Sequence, residues 1–456
     1  MRYIYMMILA VTFYGCSIHP DPLKSDLEVP LAFDAASSGN NSGISAVWWE
    51  SFNSPTLNAL IEQAVKNSPD ILIAYENIEQ ARLQLGISEA SYLPTASLSA
   101  GSSEGTSKRD GSPSTTSKST SASLRINYEV DLWGKIRASN EGAEARFNAT
   151  KYDKDAITLS MYASVAESYF SLLGLRERLV IAKDNLNISV QLMSIVEAKY
   201  KSGSVGLLDV SRQRTSLLSQ QASVESLELQ SSQAKNALAV LVGSLPQGFE
   251  VNSDAFWEFK LPSVEAGLPS ELLLKRPDIA KAKANVESAN AATKVANAER
   301  FPSFSLTGSG GVSSSALLSF RDPTSVLSLA LNAAYTLFDG GRLKDLKDVE
   351  VSKTKVAIQN YNKVILTALQ ESEDALLSAA YQNSQELLQR EISNESSRSL
   401  DIASLQYKYG TSDLTTLLDA QNKYFSARDS EAAQRLNHLK SLVSLYKVFG
   451  GGWSNE

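Results

Sequence analysis

Cysteine is all but missing: the 456 residues include one, Cys16. A single thiol forms no internal disulfide, so packing alone must hold the fold. Histidine is nearly as scarce, with only His19 and His438. Neither stands in a cluster with metal-ligand spacing, and a lone histidine in a helical pattern is ordinarily a surface or internally satisfied residue. Positive charge is not in excess either: 43 Lys and Arg against 50 Asp and Glu leave a net charge of -7, which gives nucleic acid no basic field to bind. Past residue 13 no stretch offers about 18 uninterrupted apolar residues, so no transmembrane helix is expected there, and a bilayer could be crossed only by strands. Glycine-rich pieces such as Gly308-Ser309-Gly310-Gly311 and Gly450-Gly451-Gly452 lack the Lys and Ser/Thr of a phosphate loop. No nucleophile elbow and no base-plus-nucleophile pattern is visible. These absences exclude an enzyme and imply no cofactor and no metal.

What is present is a duplication. Pro69, Pro94 and Asp131 recur as Pro277, Pro302 and Asp339, each 208 residues on, and Gly203 and Gly243 recur as Gly410 and Gly450, each 207 on. Each copy holds a pair of alternating segments followed by a very long helical pattern. Residues 122–130 place Ala122, Leu124, Ile126, Tyr128 and Val130 on one face and Ser123, Arg125, Asn127 and Glu129 on the other. Residues 327–337 repeat the scheme with Leu327, Leu329, Leu331, Ala333, Tyr335 and Leu337. Weaker partners precede them at 95–101 and 303–308. The polar stretches 102–120 and 310–324 have the composition of outward loops. A half-buried soluble sheet shows the same alternation; the tyrosines and the hydroxyl-rich second face favour a barrel wall.

From 134 to 203 and from 341 to 410 no proline interrupts, which predicts helices of about 100 Å at 1.5 Å per residue. Small residues such as Ala163, Ser164, Ser168, Ala368, Ser372 and Ala375 permit close helix approach. Return helices are expected at about 207–241 and 414–448. Separate pre-hairpin helices at about 55–91 and 269–299 supply the remaining length, with 243–262 and the tail as a belt. Asp209 and Asp419 lie early in the return helices, where a carboxylate ordinarily favours the helix dipole; in a ring of identical chains each becomes a circle of like charge.

At the start, Arg2, an apolar run over 4–13 and Gly15-Cys16-Ser17 read as a secretory signal over 1–15 with a lipoprotein processing site. Cys16 is then the lipidated first residue of an extended arm, 16–54.

The chain resembles the TolC-like outer-membrane efflux proteins, in particular the lipoprotein branch serving resistance-nodulation-division pumps. Trp48-Trp49 with Phe52, Pro55, Leu57, Leu60, Ile61, Ala64 and Asn67 looks like that branch's opening motif. Leu268-Pro269-Ser270, Arg276-Pro277-Asp278-Ile279, Ala289-Asn290-Ala291 and Phe301-Pro302 resemble its most specific signature, and Phe338-Asp339-Gly340-Gly341-Arg342 its second strand-to-helix junction. The resemblance covers nearly the whole mature chain. It implies a mixed α and β membrane protein with an internal two-fold repeat. Each chain would give four strands to a trimeric twelve-stranded transmembrane barrel continuous with a periplasmic helical barrel and an equatorial belt.

The implied division is a first repeat 55–243 with hairpin 92–131, a linker 244–268, a second repeat 269–450 with hairpin 302–338, and a tail 451–456. The implied function is the outer-membrane channel of a tripartite efflux system, lipid-anchored in the outer membrane. As a homotrimer it would take small toxic solutes from a periplasmic adaptor and a resistance-nodulation-division pump. The alternative is a periplasmic coiled-coil scaffold or adaptor-like lipoprotein that spans no membrane. By the same resemblance Asp209, Asp419 and Tyr407 form the periplasmic gate, and Gly203, Ser204, Gly410 and Thr411 form the tips that an adaptor grips. Thr416 and Ser412 depart from the family's second acid and linking arginine, with Arg212 or Arg214 as substitutes. Ser123, Arg125 and Glu129 are generically polar, so drugs, metals and solvents all stay open as cargo.

Overall fold

The computed structural model describes residues 21–28, 30, 33, 45–252, 254–261 and 275–453. The signal at 1–15, Cys16 and the Leu268-Pro269-Ser270 part of the signature lie outside them. The helices are α1 (Pro55–Asn67), α2 (Pro69–Glu89), α3 (Lys135–Lys201), α4 (Leu207–Leu241), α5 (Pro277–Ala298), α6 (Arg342–Tyr409) and α7 (Leu414–Val448); the strands are β1 (Thr95–Ser107), β2 (Thr115–Val130), β3 (Ser303–Ser314) and β4 (Thr324–Ala334). Two compact units divide them, one made of residues up to Asp26 with Asn77–Lys151 and Lys281–Asn362, the other of the remainder.

The first unit holds one antiparallel sheet in the order β1-β2-β3-β4. Its strands outrun the alternating segments: Ser102 pairs with Thr120 and Ser107 with Thr115, in residues whose composition reads as loop. A ladder needs only backbone groups, and cross-strand hydroxyl pairs add to it, Ser102 with Thr120 at 2.8 Å and Thr106 with Thr116 at 3.3 Å. At the other end β4 stops at Ala334, so Tyr335 and Leu337 lie past the strand.

Both strand-to-helix junctions rest on the duplicated aspartate. Asp131 accepts from the N–H groups of Ile136 (3.0 Å) and Arg137 (2.9 Å), and Asp339 from those of Gly341 and Leu343 (2.9 Å each). Each carboxylate thereby satisfies orphan donors at the start of a helix of 67 or 68 residues. Trp133 locks the same corner: its Nε1 donates to the Pro302 carbonyl at 2.6 Å and its ring stacks on Phe301 at 5.1 Å.

Beyond the junctions, small residues set how closely helices approach. A Cβ on Gly142 would meet the Ala291 Cβ at 3.3 Å, and Thr354 Oγ1 donates to the Ala289 carbonyl at 3.0 Å. Between them, Asn290 exchanges two hydrogen bonds with the Leu23 backbone, at 3.0 and 3.1 Å, which fastens the arm to α5.

The second unit carries the main core. Trp48, Phe52, Leu57 and Ile61 pack on Tyr169, Phe170 and Leu172 of α3 and on Leu439 and Val443 of α7, all buried. Trp48 stacks on Tyr446 at 5.0 Å, and Phe52 meets Phe170 at 5.1 Å. One 18-residue window of α3 reaches a mean hydropathy of 1.2. Met161, Val165, Tyr169, Phe170 and Leu173 of that helix are buried in this core.

The helix expected over 55–91 is broken. Ser68 takes extended backbone, φ -63 and ψ 125, because Pro69 disfavours the helical region for the residue before it. Its counterpart 208 residues on is Arg276, also before a proline. Arg276 binds Asp278 and Glu371, each at 2.7 Å, and donates to the Val448 carbonyl at 3.2 Å, which joins the start of α5 to α6 and α7. In the linker, Asp254 accepts hydroxyls from Ser54, Thr56 (3.2 Å) and Tyr169 (2.9 Å). Burial and that carboxylate push the Tyr169 phenol up to about 12.

His438 is no surface residue. It is buried on α7 with Arg435, and both meet Glu386 of α6: His438 Nδ1 lies 2.5 Å from Oε2 and Arg435 donates to Oε1 at 2.8 Å. Arg435 also donates to the Phe259 carbonyl at 2.7 Å, so the linker closes over the group. Burial alone would raise the Glu386 carboxyl; the His438 hydrogen bond and the Arg435 charge outweigh it and hold it below the usual range.

Two expectations follow. Glu386→Gln leaves a buried arginine without its counter-charge, which costs on the order of 3–5 kcal/mol and lowers the melting temperature at neutral pH. Because the native carboxyl titrates lower than the unfolded one, its contribution is intact above an ordinary Glu value and fades as pH falls through the native one. Wild type therefore loses melting temperature in that acid window, and the variant's profile there is flatter; parallel profiles would contradict the assignment.

Gly243 and Gly450, at φ +71 and +84, close the two repeats against the preceding pre-hairpin helix, where a Cβ would lie 2.3 Å from the Asn67 carbonyl oxygen and 1.8 Å from that of Lys275. Alanine at either costs more than the roughly 1–2 kcal/mol of a left-handed backbone alone. Gly248→Ala, with φ +73 and nothing within 4 Å, shows that strain without the collision. Equal melting-temperature losses at all three positions would refute the packing account.

Candidate functional site

The sheet has two chemically distinct faces. Register aligns Leu98 with Leu124, Leu124 with Gly310 and Gly310 with Leu327; it likewise aligns Ile126 with Gly308 and Gly308 with Leu329, and Tyr128 with Leu306 and Leu306 with Leu331. Leu327 and Leu329 are 90% and 78% exposed within the chain. Gly308 and Gly310 leave room for them: a Cβ on Gly310 would meet Leu327 Cδ1 at 3.4 Å.

The opposite face is knitted by its own hydroxyls. Ser99 bonds Ser123 at 2.9 Å, Ser309 bonds Ser328 at 2.7 Å, and Thr307 donates to Asn127 Oδ1 at 3.2 Å. Arg125 and Glu129 stand on this face by register, and Glu129 pairs with Lys135 at 3.3 Å. At the edges of the order, β1 and β4 each have one neighbour among the described residues.

The helix tips of the second unit form the other candidate. Both turns use one geometry. Gly203 (φ +77) donates to the Tyr200 carbonyl and Ser204 to that of Lys199, each at 2.9 Å; Gly410 (φ +78) donates to Tyr407 at 3.2 Å and Thr411 to Gln406 at 2.9 Å. This pair of bonds closes a helix on a left-handed residue, which glycine adopts without strain. Ser204 and Thr411 are exposed there.

Around the tips, Leu192 and Val196 of α3 pack on Leu400, Ala403 and Tyr407 of α6 and on Leu414 and Leu417 of α7. Tyr407 is 3% exposed, its hydroxyl without a hydrogen-bond partner among the described residues; burial, then the charge of Asp209, raises its phenol. Asp209 stands in the first turn of α4, half-buried. The second gate acid does not share the dipole role. Asp419 is the sixth residue of α7 and forms an exposed pair with Lys423 at 2.8 Å, while Asp413 is the residue that caps the helix, accepting from Thr416 N–H at 2.8 Å. That bond is the first cause of its lowered carboxyl.

The structure thus brings Asp209 and Tyr407 together and leaves Asp419 apart, facing solvent. Among the described residues Arg212 reaches Thr415 alone, at 3.5 Å, and its charge also acts on Asp413. The cation that touches Tyr407 is Lys199, unremarked in the sequence: its Nζ donates to the Tyr407 carbonyl at 2.6 Å and sits 4.2 Å above the centroid of the ring. A lysine in the last turn before a helix-ending glycine was the only available signal, and its partner lies 208 positions away.

A family model described as outer membrane efflux protein matches residues 60–244 and again 268–451. The chain is 32% identical over 452 residues to the pyoverdine export outer membrane protein OpmQ of Pseudomonas aeruginosa, covering 97% of this chain and 95% of that protein. It is 30% identical over 456 residues to the cation efflux system protein CusC of Escherichia coli O6:H1, covering 98% and 97%. The solved outer-membrane channel OprN superposes with a TM-score of 0.87 at 27% identity, covering 96% of this chain and 100% of that one. With its duplicated hairpins, two-faced sheet and paired helical tips, the chain belongs to the outer membrane efflux protein family and is an outer-membrane efflux channel.

Proposed function

We propose that the chain works as a homotrimer, the outer-membrane duct of a tripartite assembly with a periplasmic adaptor and a resistance-nodulation-division pump of the inner membrane. It passes small toxic solutes outward and performs no chemistry of its own. The observation that carries this reading is the sheet: four strands, one face of exposed leucine, and two edges with no neighbour among the described residues. Four strands cannot close a barrel, and an open edge has no place in hydrocarbon, so β1 and β4 must pair with other copies. Three copies give the twelve strands that the resemblance implies.

In this reading the leucine face meets lipid and the hydroxyl face lines the passage. The repeats 55–243 and 269–450 are joined by the linker 244–268, and lipid on Cys16 holds the arm 16–54 at the membrane after removal of 1–15. Asp209, Tyr407 and Asp419 form the gate at the helical tips; Gly203, Ser204, Gly410 and Thr411 present the turns to the adaptor. The exposed side chains beside each glycine turn support this last assignment.

Leu329→Lys places a charge in the lipid face, which costs about 2–4 kcal/mol per chain near the bilayer midplane. Ser328→Lys puts the same charge on the opposite face. On unheated gels of detergent-extracted outer membranes, wild type and Ser328→Lys run as trimers that boiling dissociates, and Leu329→Lys does not. Trimer from both variants, or from neither, contradicts the facing. For the gate, purified wild type in planar bilayers conducts weakly and Asp419→Ala conducts more, because removing a ring of carboxylates removes the cation bridges that such a ring recruits. High wild-type conductance indifferent to the substitution sinks the gate.

A further inference from the structure

The two tips are built alike at the glycine and unlike just before it. Tyr200 and Tyr407 occupy equivalent places, three residues before Gly203 and Gly410, yet Tyr200 is 45% exposed and Tyr407 3%. The difference lies in what each tyrosine meets. Tyr407 is covered by Lys199 of α3, whose amine reaches both its ring and its carbonyl. That carbonyl is one of the last of α6, left without an intrahelical partner and sharing the Gly410 N–H at 3.2 Å. A cation there is favoured three times over, by the hydrogen bond, the helix dipole and the ring face.

We propose that Lys199 is a positioning residue of the gate, a tie that holds the end of α6 and the Tyr407 ring against α3 and must break when the tip opens. The inference rests on the gate assignment above. It also accounts for Ser412, which has no charge to link neighbouring helices. Among the described residues Arg212 reaches a hydroxyl at 3.5 Å, whereas Lys199 makes a bond of 2.6 Å across the same two hairpins. Packing around it is apolar and without direction: Leu192 and Val196 of α3, Leu400 and Ala403 of α6 and Leu414 and Leu417 of α7 are buried with Tyr407. The Lys199 hydrogen bond is the polar contact that fixes the Tyr407 carbonyl and ring to α3.

Lys201, two residues on and exposed, supplies a control with the same charge at the same end. Single-channel conductance of purified trimers in planar bilayers, without adaptor or pump, is read for wild type, Lys199→Met, Lys199→Gln, Lys199→Arg, Lys201→Met and Asp419→Ala. Lys199→Met and Lys199→Gln each raise the open-to-closed ratio about tenfold, the factor carried by one lost hydrogen bond to a charged donor. Lys199→Arg stays near wild type, as does Lys201→Met, and all variants keep the heat-dissociable trimer. Lys199→Met and Lys199→Gln as closed as wild type, with Asp419→Ala open, overturn the tie while leaving the gate standing. Equal opening by Lys201→Met assigns the effect to mouth charge and likewise overturns the tie. Open wild type, unmoved by Asp419→Ala, removes the gate and the tie together. Should Lys199→Met form no trimer, Lys199→Gln and Lys199→Arg decide.

Discussion

Backbone hydrogen bonding at the sheet edges governs the rest of this molecule. Each strand presents N–H and C=O groups on two sides, and among the described residues β1 and β4 satisfy one side each. In water an open edge is tolerable; in hydrocarbon it is not. Exposed leucine on one face draws the sheet into lipid, and the edges then require further strands of the same register. Oligomerisation is thus a condition of membrane insertion rather than an addition to it. The long helices follow as continuations of strands whose junctions are capped by Asp131 and Asp339.

Duplication supplies the parts, and divergence between copies assigns them different work. Where backbone geometry dictates the residue, the copies agree: both closing glycines sit against a carbonyl of the preceding helix, and both junction aspartates accept two N–H groups. Where side chains meet neighbours, they differ. Ser68 became Arg276, which binds two carboxylates and a helix-terminal carbonyl, and the exposed Tyr200 corresponds to the buried Tyr407. The second repeat carries more of the polar wiring, since Glu386, Arg435 and His438 also belong to it.

Much of this was legible in the sequence because periodicity reports burial along one element. The strand faces at 122–130 and 327–333, the proline-free helices and the glycine turns all have local signals. What escaped depends on partners distant in sequence. The outer parts of the hairpins read as loops, since serine and threonine disguise a ladder that backbone groups alone sustain. Break of α1 from α2 had a local cue in Pro69, overridden by the run of apolar spacing across it. His438 read as a surface or satisfied residue and is the latter, but its partner Glu386, 52 positions away, left no local signal. Lys199 was invisible for the same reason, its acceptor lying in the other repeat.

The hydroxyl face, on the proposed reading the lining of the passage, has few free polar groups to offer a solute. A passage that binds its cargo tightly also retains it, so conduction favours linings with few free polar groups. Here Ser99 satisfies Ser123, Ser309 satisfies Ser328, and Thr307 donates to Asn127. Groups that bond one another across strands have less to offer a solute, and losing such a pair to bind one gains little, since one hydrogen bond is exchanged for another. Charge on this face is sparse, and Glu129 is already paired with Lys135. Under the proposed gate, selection then falls to the helical tips around Tyr407.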